Sequence, residues 1–333
     1  MKLEELKKIS FYLGKNKNLT QCAGGNTSLK SSNYMFIKSS GMWLEDTYIK
    51  NIFSKINTNK INNKIKLCKD ISENDYIIVG HKKNKVSIET PLHLQLINKF
   101  VIHYHPVNLN AILIQKDGFL KLKKVLKINN WIYVKYAKPG NELYKKVGEK
   151  LKTTSNKIQV IFLQNHGIVI GADTFKECIN KINYFEKMFQ TKENEFKLNT
   201  SKIQKYAKLL NMKTPKYKKI NSLATNNISY KVCSTKTGIL FPDQAVFLGN
   251  KMECITEKEI PNYINSDVRF LIIKNIGVLI SKNSKVEINE ILLFMSKVLL
   301  KLNNSNNLNY LSKKNINALI NWDAEKYRLQ LSR

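Results

Sequence analysis

Histidine is scarce in this chain, and the few that occur lie in one part of the sequence. Only five are present among 333 residues, and none follows His166. Imidazole is a common ligand of transition metals and a common general base. Any chemistry that requires histidine therefore belongs to the N-terminal part of the chain.

Arginine is also nearly absent, although the net charge is +31 at pH 7. Only Arg269, Arg328 and Arg333 occur, so lysine supplies almost all of the 56 basic residues, and the lysines are spread along the whole chain. Proteins that read bases or clamp phosphates with two hydrogen bonds favour arginine. The composition therefore indicates a lysine-rich surface that attracts polyanions weakly, and no specific nucleic-acid function.

The sequence lacks a disulfide framework and a membrane-spanning run. Its five cysteines are odd in number, widely scattered and without a C-x-x-C pair, which favours free thiols in a reducing, cytoplasmic compartment. No apolar run reaches the length of a membrane span, and residues 1–14 are typical of an amphipathic helix, not of a signal peptide. The 43% apolar content predicts a globular protein.

Short apolar runs alternate with segments of helical periodicity, and this pattern predicts an α/β protein. A helix is expected at 174–190, with Asp173 and Thr174 at its N-cap. The stretch 195–229 has weak periodicity and predicts a connection between two halves. Strands are predicted at residues 34–38, 75–80, 100–105, 131–137, 159–163 and 167–172.

An internal repeat is visible across the two halves. FLIIKNIGVLIS (270–281) aligns with VIFLQNHGIVIG (160–171) at an offset of 110, and each run leads into a helical segment. Ile276 takes the position of His166. Two buried strand–turn–helix units can also match by chance, so a diverged copy remains one of two interpretations. The domains are predicted as 1–200, which carries the chemistry, and 201–333.

Two histidines lie one residue apart in the strand-like run VIHYHP. On a β-strand, residues i and i+2 point to the same face, so His103 and His105 either converge on an ion or are buried side by side. His166 occupies an Asn-His-Gly corner between two apolar runs. At such a corner, a histidine is either a structural residue or a third ligand.

Three further segments carry small polar residues at places that suit ligand binding. Glu89 precedes Pro91, so it is either a carboxylate favoured at a helix N-terminus or a catalytic group. The loops GGNTS and SSG either bind an anion through exposed amides and hydroxyls or form ordinary glycine turns. The candidate binding residues in these segments are Asn26, Thr27, Ser40, Gly41 and Ser87.

Taken in order, GGNTS, SSG, S-x-E-x-x-x-H, H-x-H-P and N-H-G-x-x-x-G resemble the motifs of the class II aldolase/adducin superfamily, which includes fuculose- and rhamnulose-phosphate aldolases. The resemblance covers about residues 1–195. It implies a three-layer α/β/α fold with a central, largely antiparallel sheet, followed by a diverged C-terminal α/β domain. It also implies a homo-oligomer with active sites at subunit boundaries. GILFPDQAVFLG (238–249) and NWDAEKYR (321–328) resemble longer relatives in sugar and surface-polysaccharide metabolism.

The resemblance also assigns roles. It implies one Zn²⁺ held by His103, His105 and His166, with Glu89 moving a proton beside the metal. The activity implied is that of an aldehyde-lyase, which breaks or forms a carbon–carbon bond in a ketose or ketose phosphate through a metal-stabilised enediolate. Asn26, Thr27, Ser40, Gly41 and Ser87 would line the substrate pocket. Ile88 stands where many relatives have a second serine, which puts the substrate phosphate in doubt.

Two alternatives remain open. The same scaffold supports sugar-phosphate epimerases, dehydratases and decarboxylases. A non-catalytic adducin-like binding protein would keep the fold without the complete metal set. Because Glu89 and all three histidines are present, the sequence favours an enzyme whose partner is a small sugar or sugar phosphate.

Overall fold

The computed structural model describes residues 2–80, 84–155, 157–198, 200–331 and 333. The chain forms two compact units, Met1–Leu113 with Gly118–Phe189, and Ile114–Asp117 with Gln190–Arg333. The short segment Ile114–Asp117 belongs to the second unit, where Gln115 forms an isolated antiparallel bridge with Leu308. A domain boundary at residue 200 stays a prediction.

The first unit is built on one large sheet. Its order is β4-β3-β2-β1-β5-β8-β7-β6, and neighbouring strands are antiparallel except β6 and β7. The predicted, largely antiparallel sheet is confirmed. The strands in the described residues are β1 (Asn26–Ser31), β2 (Tyr34–Lys38), β3 (Phe53–Asn57), β4 (Ile77–Ile78), β5 (Phe100–Tyr104), β6 (Trp131–Val134), β7 (Val160–Leu163) and β8 (Gly167–Ala172).

Helices cover both faces of this sheet. The predicted cap of α7 is confirmed, because the Thr174 side chain accepts a hydrogen bond from Glu177 N. Pro91 lies in the first turn of α3, as its fixed φ favours. The helices of this unit are α1 (Lys2–Lys15), α2 (Asn59–Lys66), α3 (Thr90–Leu94), α4 (Val107–Leu113), α5 (Gly118–Val125), α6 (Asn141–Lys152) and α7 (Phe175–Met188).

Side chains that alternate along β5 point to the helical layers on the two opposite faces of the sheet. Ile102 and Tyr104 belong to a core cluster with residues of α1 and α7, such as Phe185. Val101 points the other way and joins a cluster with Val147 of α6. His103 therefore faces the α3–α6 side of the sheet, because residues i and i+2 of a strand share a face.

Two strands of the first unit were not predicted, and the strands expected at 75–80 and 131–137 are shorter than predicted. β1 was taken for a loop, because NTSLKS lacks apolar alternation. It forms a central strand because its polar side chains have buried partners, Thr27 with Ser10 and Ser28 with His93. β3 was not predicted, and the run expected at 75–80 pairs only over Ile77–Ile78.

The second unit contains a smaller sheet, β9 (Met212–Lys213), β10 (Cys254–Ile255), β11 (Phe270–Ile273) and β12 (Gly277–Ser281), in the order β10-β11-β12-β9 within its described residues. The stretch 195–229, which was predicted to connect two halves because of its weak periodicity, contains helices and β9 within the second unit. Tertiary burial of residues such as Ile203 stabilises them despite weak periodicity. The helices are α8 (Thr200–Leu209), α9 (Ser222–Thr225), α10 (Asn227–Ser234), α11 (Pro242–Leu248), α12 (Val286–Leu299), α13 (Lys313–Ile320) and α14 (Asp323–Gln330).

The smaller sheet repeats half of the larger one. β10, β11, β12 and β9 have the same order and directions as β6, β7, β8 and β5. The β11–β12 pairing, Phe270 with Ile280, repeats Val160 with Ile170 at the offset of 110. This topology supports the interpretation of the C-terminal part as a diverged copy.

None of the helices in the described residues combines the length and the apolar character that crossing a membrane requires.

Lys30 gives this fold a testable pH dependence. Its ammonium donates to Leu96 O, and burial lowers its pKa to about 7, with Asp173 opposing only in part. Between pH 7 and about 10, Lys30 is therefore protonated in the unfolded chain and largely neutral in the folded one, so its own contribution to stability increases with pH. Because Lys30→Met lacks this contribution, we expect the difference in urea midpoint, wild type minus Lys30→Met, to increase with pH in this window. The exposed Lys123→Met is the control, and equal pH slopes for wild type and Lys30→Met would contradict this assignment.

Candidate metal centre and active site

The three histidines lie at two places in the fold, the end of β5 and the turn between β7 and β8. His103 lies on β5 and His105 follows directly after its last residue, with its backbone N–H bonded to Leu19 O. His166 lies in the turn between β7 and β8. Asn165 adopts φ 57° there, a left-handed conformation that asparagine tolerates, and this tight turn brings His166 back beside β5.

The ring nitrogens of these histidines converge. His103 Nε2 lies 3.1 Å from His105 Nε2 and 3.3 Å from His166 Nε2, and the three potential ligand atoms all lie within 4.8 Å of one another. All three side chains are buried. Nitrogens bonded to one tetrahedral ion at 2.0–2.1 Å are separated by about 3.3 Å. The two measured separations match this value.

A backbone contact sets the tautomer of His103. Its Nδ1 lies 3.0 Å from Ile168 O, and a carbonyl oxygen only accepts hydrogen bonds. Nδ1 therefore carries the proton, and the lone pair of Nε2 points toward the other two rings. Metal-binding histidines are commonly oriented by such a contact.

Glu89 completes the cluster. Its Oε1 lies 3.6 Å from His103 Nε2 and 3.5 Å from His166 Nε2, and its Oε2 accepts from Asn26 Nδ2 at 2.5 Å. Oε1 is buried, with no hydrogen-bond donor for it among the described residues. A buried carboxylate oxygen facing converging imidazole lone pairs is a costly arrangement unless a cation lies among them. The donor set therefore fits a divalent metal ion.

The five candidate binding residues are placed differently. Asn26 contacts the Glu89 carboxylate, and Ser87 Oγ accepts from the backbone N–H of Glu89 at 3.2 Å. Ser40 and Gly41 form a buried turn after β2, with φ 75° at Gly41. Thr27 points to the opposite face of β1, where its Oγ1 lies 2.6 Å from Ser10 Oγ.

Sequence reasoning missed a buried lysine next to these loops. Lys38 Nζ donates to Ala23 O and Met42 O, both at 2.7 Å, and the side chain is 1% exposed. One ammonium thus ties the loop before β1 to the loop after β2. The signal that could have found it is a lysine ending the apolar strand YMFIK directly before two serines.

His93 was also missed as a candidate, although it closes the S-x-E-x-x-x-H motif. It is fully buried on α3, and its Nδ1 lies 2.8 Å from Ser28 Oγ. Burial lowers the pKa of His93 well below its usual value, and His103, Lys30 and Lys38 lower it further. The imidazole is therefore neutral at physiological pH.

Comparison with known families decides the classification. The model of the class II aldolase and adducin N-terminal domain matches residues 5–192, more than half of the chain. The chain belongs to the class II aldolase and adducin family. The matched region contains Glu89 and all three clustered histidines.

One curated protein is similar to part of this chain. An uncharacterized oxidoreductase, YuxG of Bacillus subtilis, is 28% identical over 193 residues, which are 54% of this chain and 28% of that protein. The chain thus spans little more than a quarter of that relative's length.

Solved structures are similar to a little more than half of this chain. The N-terminal class II aldolase domain of a conserved Thermoplasma acidophilum protein is 24% identical, with a TM-score of 0.50, covering 57% of this chain and 92% of that one. A sugar-phosphate aldolase from Thermotoga maritima is 20% identical, with a TM-score of 0.44, covering 56% and 91%.

The turn that carries His166 depends on Gly167. A Cβ there would lie 2.4 Å from Tyr104 O, on the strand that carries the other two histidines. We expect Gly167→Ala to destabilise the protein by about 1–3 kcal/mol in urea unfolding, because backbone must move. Gly148→Ala in α6 is the control, since its nearest neighbour is a flexible glutamine amide at 3.3 Å and alanine favours helix. Equal stability of the two variants would refute the steric argument.

Metal content tests the cluster directly. We expect about one divalent ion per wild-type chain by elemental analysis, and none in the double variant His103→Ala, His105→Ala, because two of the three nitrogens are removed. Far-UV circular dichroism of the variant checks that the fold persists. A folded wild type that takes up neither Zn²⁺ nor Mn²⁺ would exclude a metal centre.

Proposed function

We propose that this protein is a Zn²⁺-dependent class II aldolase that breaks or forms a carbon–carbon bond in a ketose or ketose phosphate. The observation that carries the proposal is the convergence of three imidazole nitrogens and the Oε1 atom of Glu89 in one buried cluster. Three histidine ligands leave a coordination position open, which is typical of catalytic and not of structural zinc. Family membership makes lyase chemistry the first expectation.

His103, His105 and His166 would hold the ion. The ion would supply Lewis acidity that polarises substrate oxygens. His103 is held in the ligand tautomer by Ile168 O, so its Nε2 needs no reorientation on binding. Burial of the three rings excludes bulk water from the same space.

Glu89 would move the proton. Its Oε2 is fixed by Asn26, while Oε1 faces the histidine cluster and accepts no hydrogen bond from the described residues. One oxygen therefore anchors the carboxylate, and the other is available to take a proton from a substrate carbon or hydroxyl and return it. This division of roles positions the base before substrate arrives.

The family resemblance and the polar residues it assigns support the proposed substrate class. Asn26 contacts the Glu89 carboxylate and Ser87 contacts the Glu89 backbone, and with the turn at Ser40 and Gly41 they provide amide and hydroxyl groups suited to a sugar or its phosphate. Ile88 removes one hydroxyl that many family members have, so an unphosphorylated ketose is the competing substrate. We further propose a cytoplasmic homo-oligomer acting in carbohydrate or surface-polysaccharide metabolism, with the resemblance as its support.

Glu89→Gln separates proton transfer from metal binding. Glutamine keeps the size of the side chain and can keep one oxygen contact with Asn26, but it cannot accept the proton. We expect metal content to remain near wild type and aldehyde release from ketose phosphates to fall at least about 100-fold.

The exposed Glu149→Gln is the matched control and should behave as wild type. Full activity of Glu89→Gln would remove Glu89 from the mechanism. Turnover of a sugar phosphate without aldehyde release would replace the aldolase with an epimerase or dehydratase on the same scaffold. A folded wild type without metal or turnover would leave the adducin-like binding function.

A further inference from the structure

Two hydrogen bonds between side chains join helix α3 and its N-cap to strand β1. At its start, Glu89 Oε2 accepts from Asn26 Nδ2 at 2.5 Å. One turn later, His93 Nδ1 lies 2.8 Å from Ser28 Oγ. The first contact holds the proposed base, whereas the second involves no residue with a role in the proposed function.

The spacing of the two contacts follows from helix and strand geometry. Four helical residues advance about 6 Å, and two strand residues advance about 6.7 Å. Glu89 and His93 lie on one side of α3, because His93 N donates to Glu89 O. Asn26 and Ser28 share one face of β1. The helix and the strand therefore present matching pairs of side chains.

The direction of the second hydrogen bond follows from its surroundings. Ser28 Oγ also lies 3.4 Å from Val101 O, which only accepts. The serine hydroxyl therefore donates to Val101, and its oxygen accepts the proton of His93 Nδ1. Both side chains are fully buried, so breaking this bond would leave a desolvated polar group.

We propose that His93 and Ser28 form a positioning pair for Glu89. Helix α3 spans only five residues, and the chain after it is held by Lys30 Nζ, which donates to Leu96 O, and by Gln95 Nε2, which donates to Tyr144 O. The bond between His93 and Ser28 lies closer to Glu89 than these two contacts do. It fixes the rotation of this turn against β1, and with it the carboxylate against the histidine cluster. The catalytic consequence rests on the proposed function, whereas the attachment of α3 does not.

Three variants test the pair kinetically. Ser28→Ala and His93→Leu remove the contact, and His93→Asn places an amide N–H near the position of Nδ1. For the first two we expect kcat to fall about 10- to 100-fold, since a misplacement near 1 Å costs about that much, with KM and metal content within about threefold of wild type. His93→Asn should restore most of kcat.

Ser54→Ala is the matched control, because it also removes a buried serine hydrogen bond, to Ser39 Oγ at 2.7 Å, on strand β3. It should leave kcat unchanged. Wild-type kcat in Ser28→Ala would overturn the proposal, as would an equal loss in Ser54→Ala or a failure of His93→Asn to restore activity. If His93→Leu does not fold, Ser28→Ala decides.

Hydrogen exchange of the α3 amides gives a readout that needs neither metal nor turnover. We expect residues 90–95 to exchange faster in Ser28→Ala than in wild type and Ser54→Ala, and at the wild-type rate in His93→Asn. Unchanged exchange in Ser28→Ala would overturn the proposal. A wild type without turnover but with the expected exchange pattern would refute the proposed function and leave the attachment of α3 standing.

Discussion

The antiparallel pairing of β5 with β8 is the interaction on which the site depends. Its register places His103 opposite Val169 and the Ile168 carbonyl against His103 Nδ1. The same pairing brings the turn before β8, with His166, to the end of β5. Because side chains alternate along a strand, a slip by one residue would send His103 and His105 to the opposite helical layer and dismantle the cluster.

Several buried polar side chains of the first unit have hydrogen-bond partners on elements distant in sequence. β1 crosses the centre of the sheet with Asn26, Thr27 and Ser28 buried, and each finds a side-chain partner on a neighbouring element. Lys38 likewise places its ammonium between two loop carbonyls. An unpaired polar group in such positions costs about 1–3 kcal/mol, so these pairings also specify how helices and loops meet the sheet. The carboxylate of Glu89 is one member of this network.

The second unit keeps the backbone geometry of the turn that carries His166, but it does not keep the histidine. Its β11–β12 turn keeps an asparagine with positive φ, 60° at Asn275 against 57° at Asn165, and the turn is again anchored through its backbone N–H, to Ala224 O. The position of His166 is taken by Ile276. If the pairing of β9 with β12 is continued beyond Lys213, Thr214 and Lys216 take the positions that correspond to His103 and His105 in the pairing of β5 with β8. The backbone constraint of the hairpin is thus present in both units, whereas the clustered histidines are present in the first unit alone.

Local patterns in the sequence were sufficient to predict much of the fold and part of the candidate site. Apolar runs located β2 and β5–β8, the shared face of His103 and His105 followed from strand alternation, and the motif order indicated the family. Polar β1 could not be found in this way, because its stability comes from partners on α1 and α3 that are distant in sequence. For the same reason, the tautomer of His103, the orientation of Glu89 and the roles of Lys38 and His93 were decided only by tertiary structure. Hydrogen bonds between distant residues leave no periodic signal, whereas burial on one face of a strand or helix does.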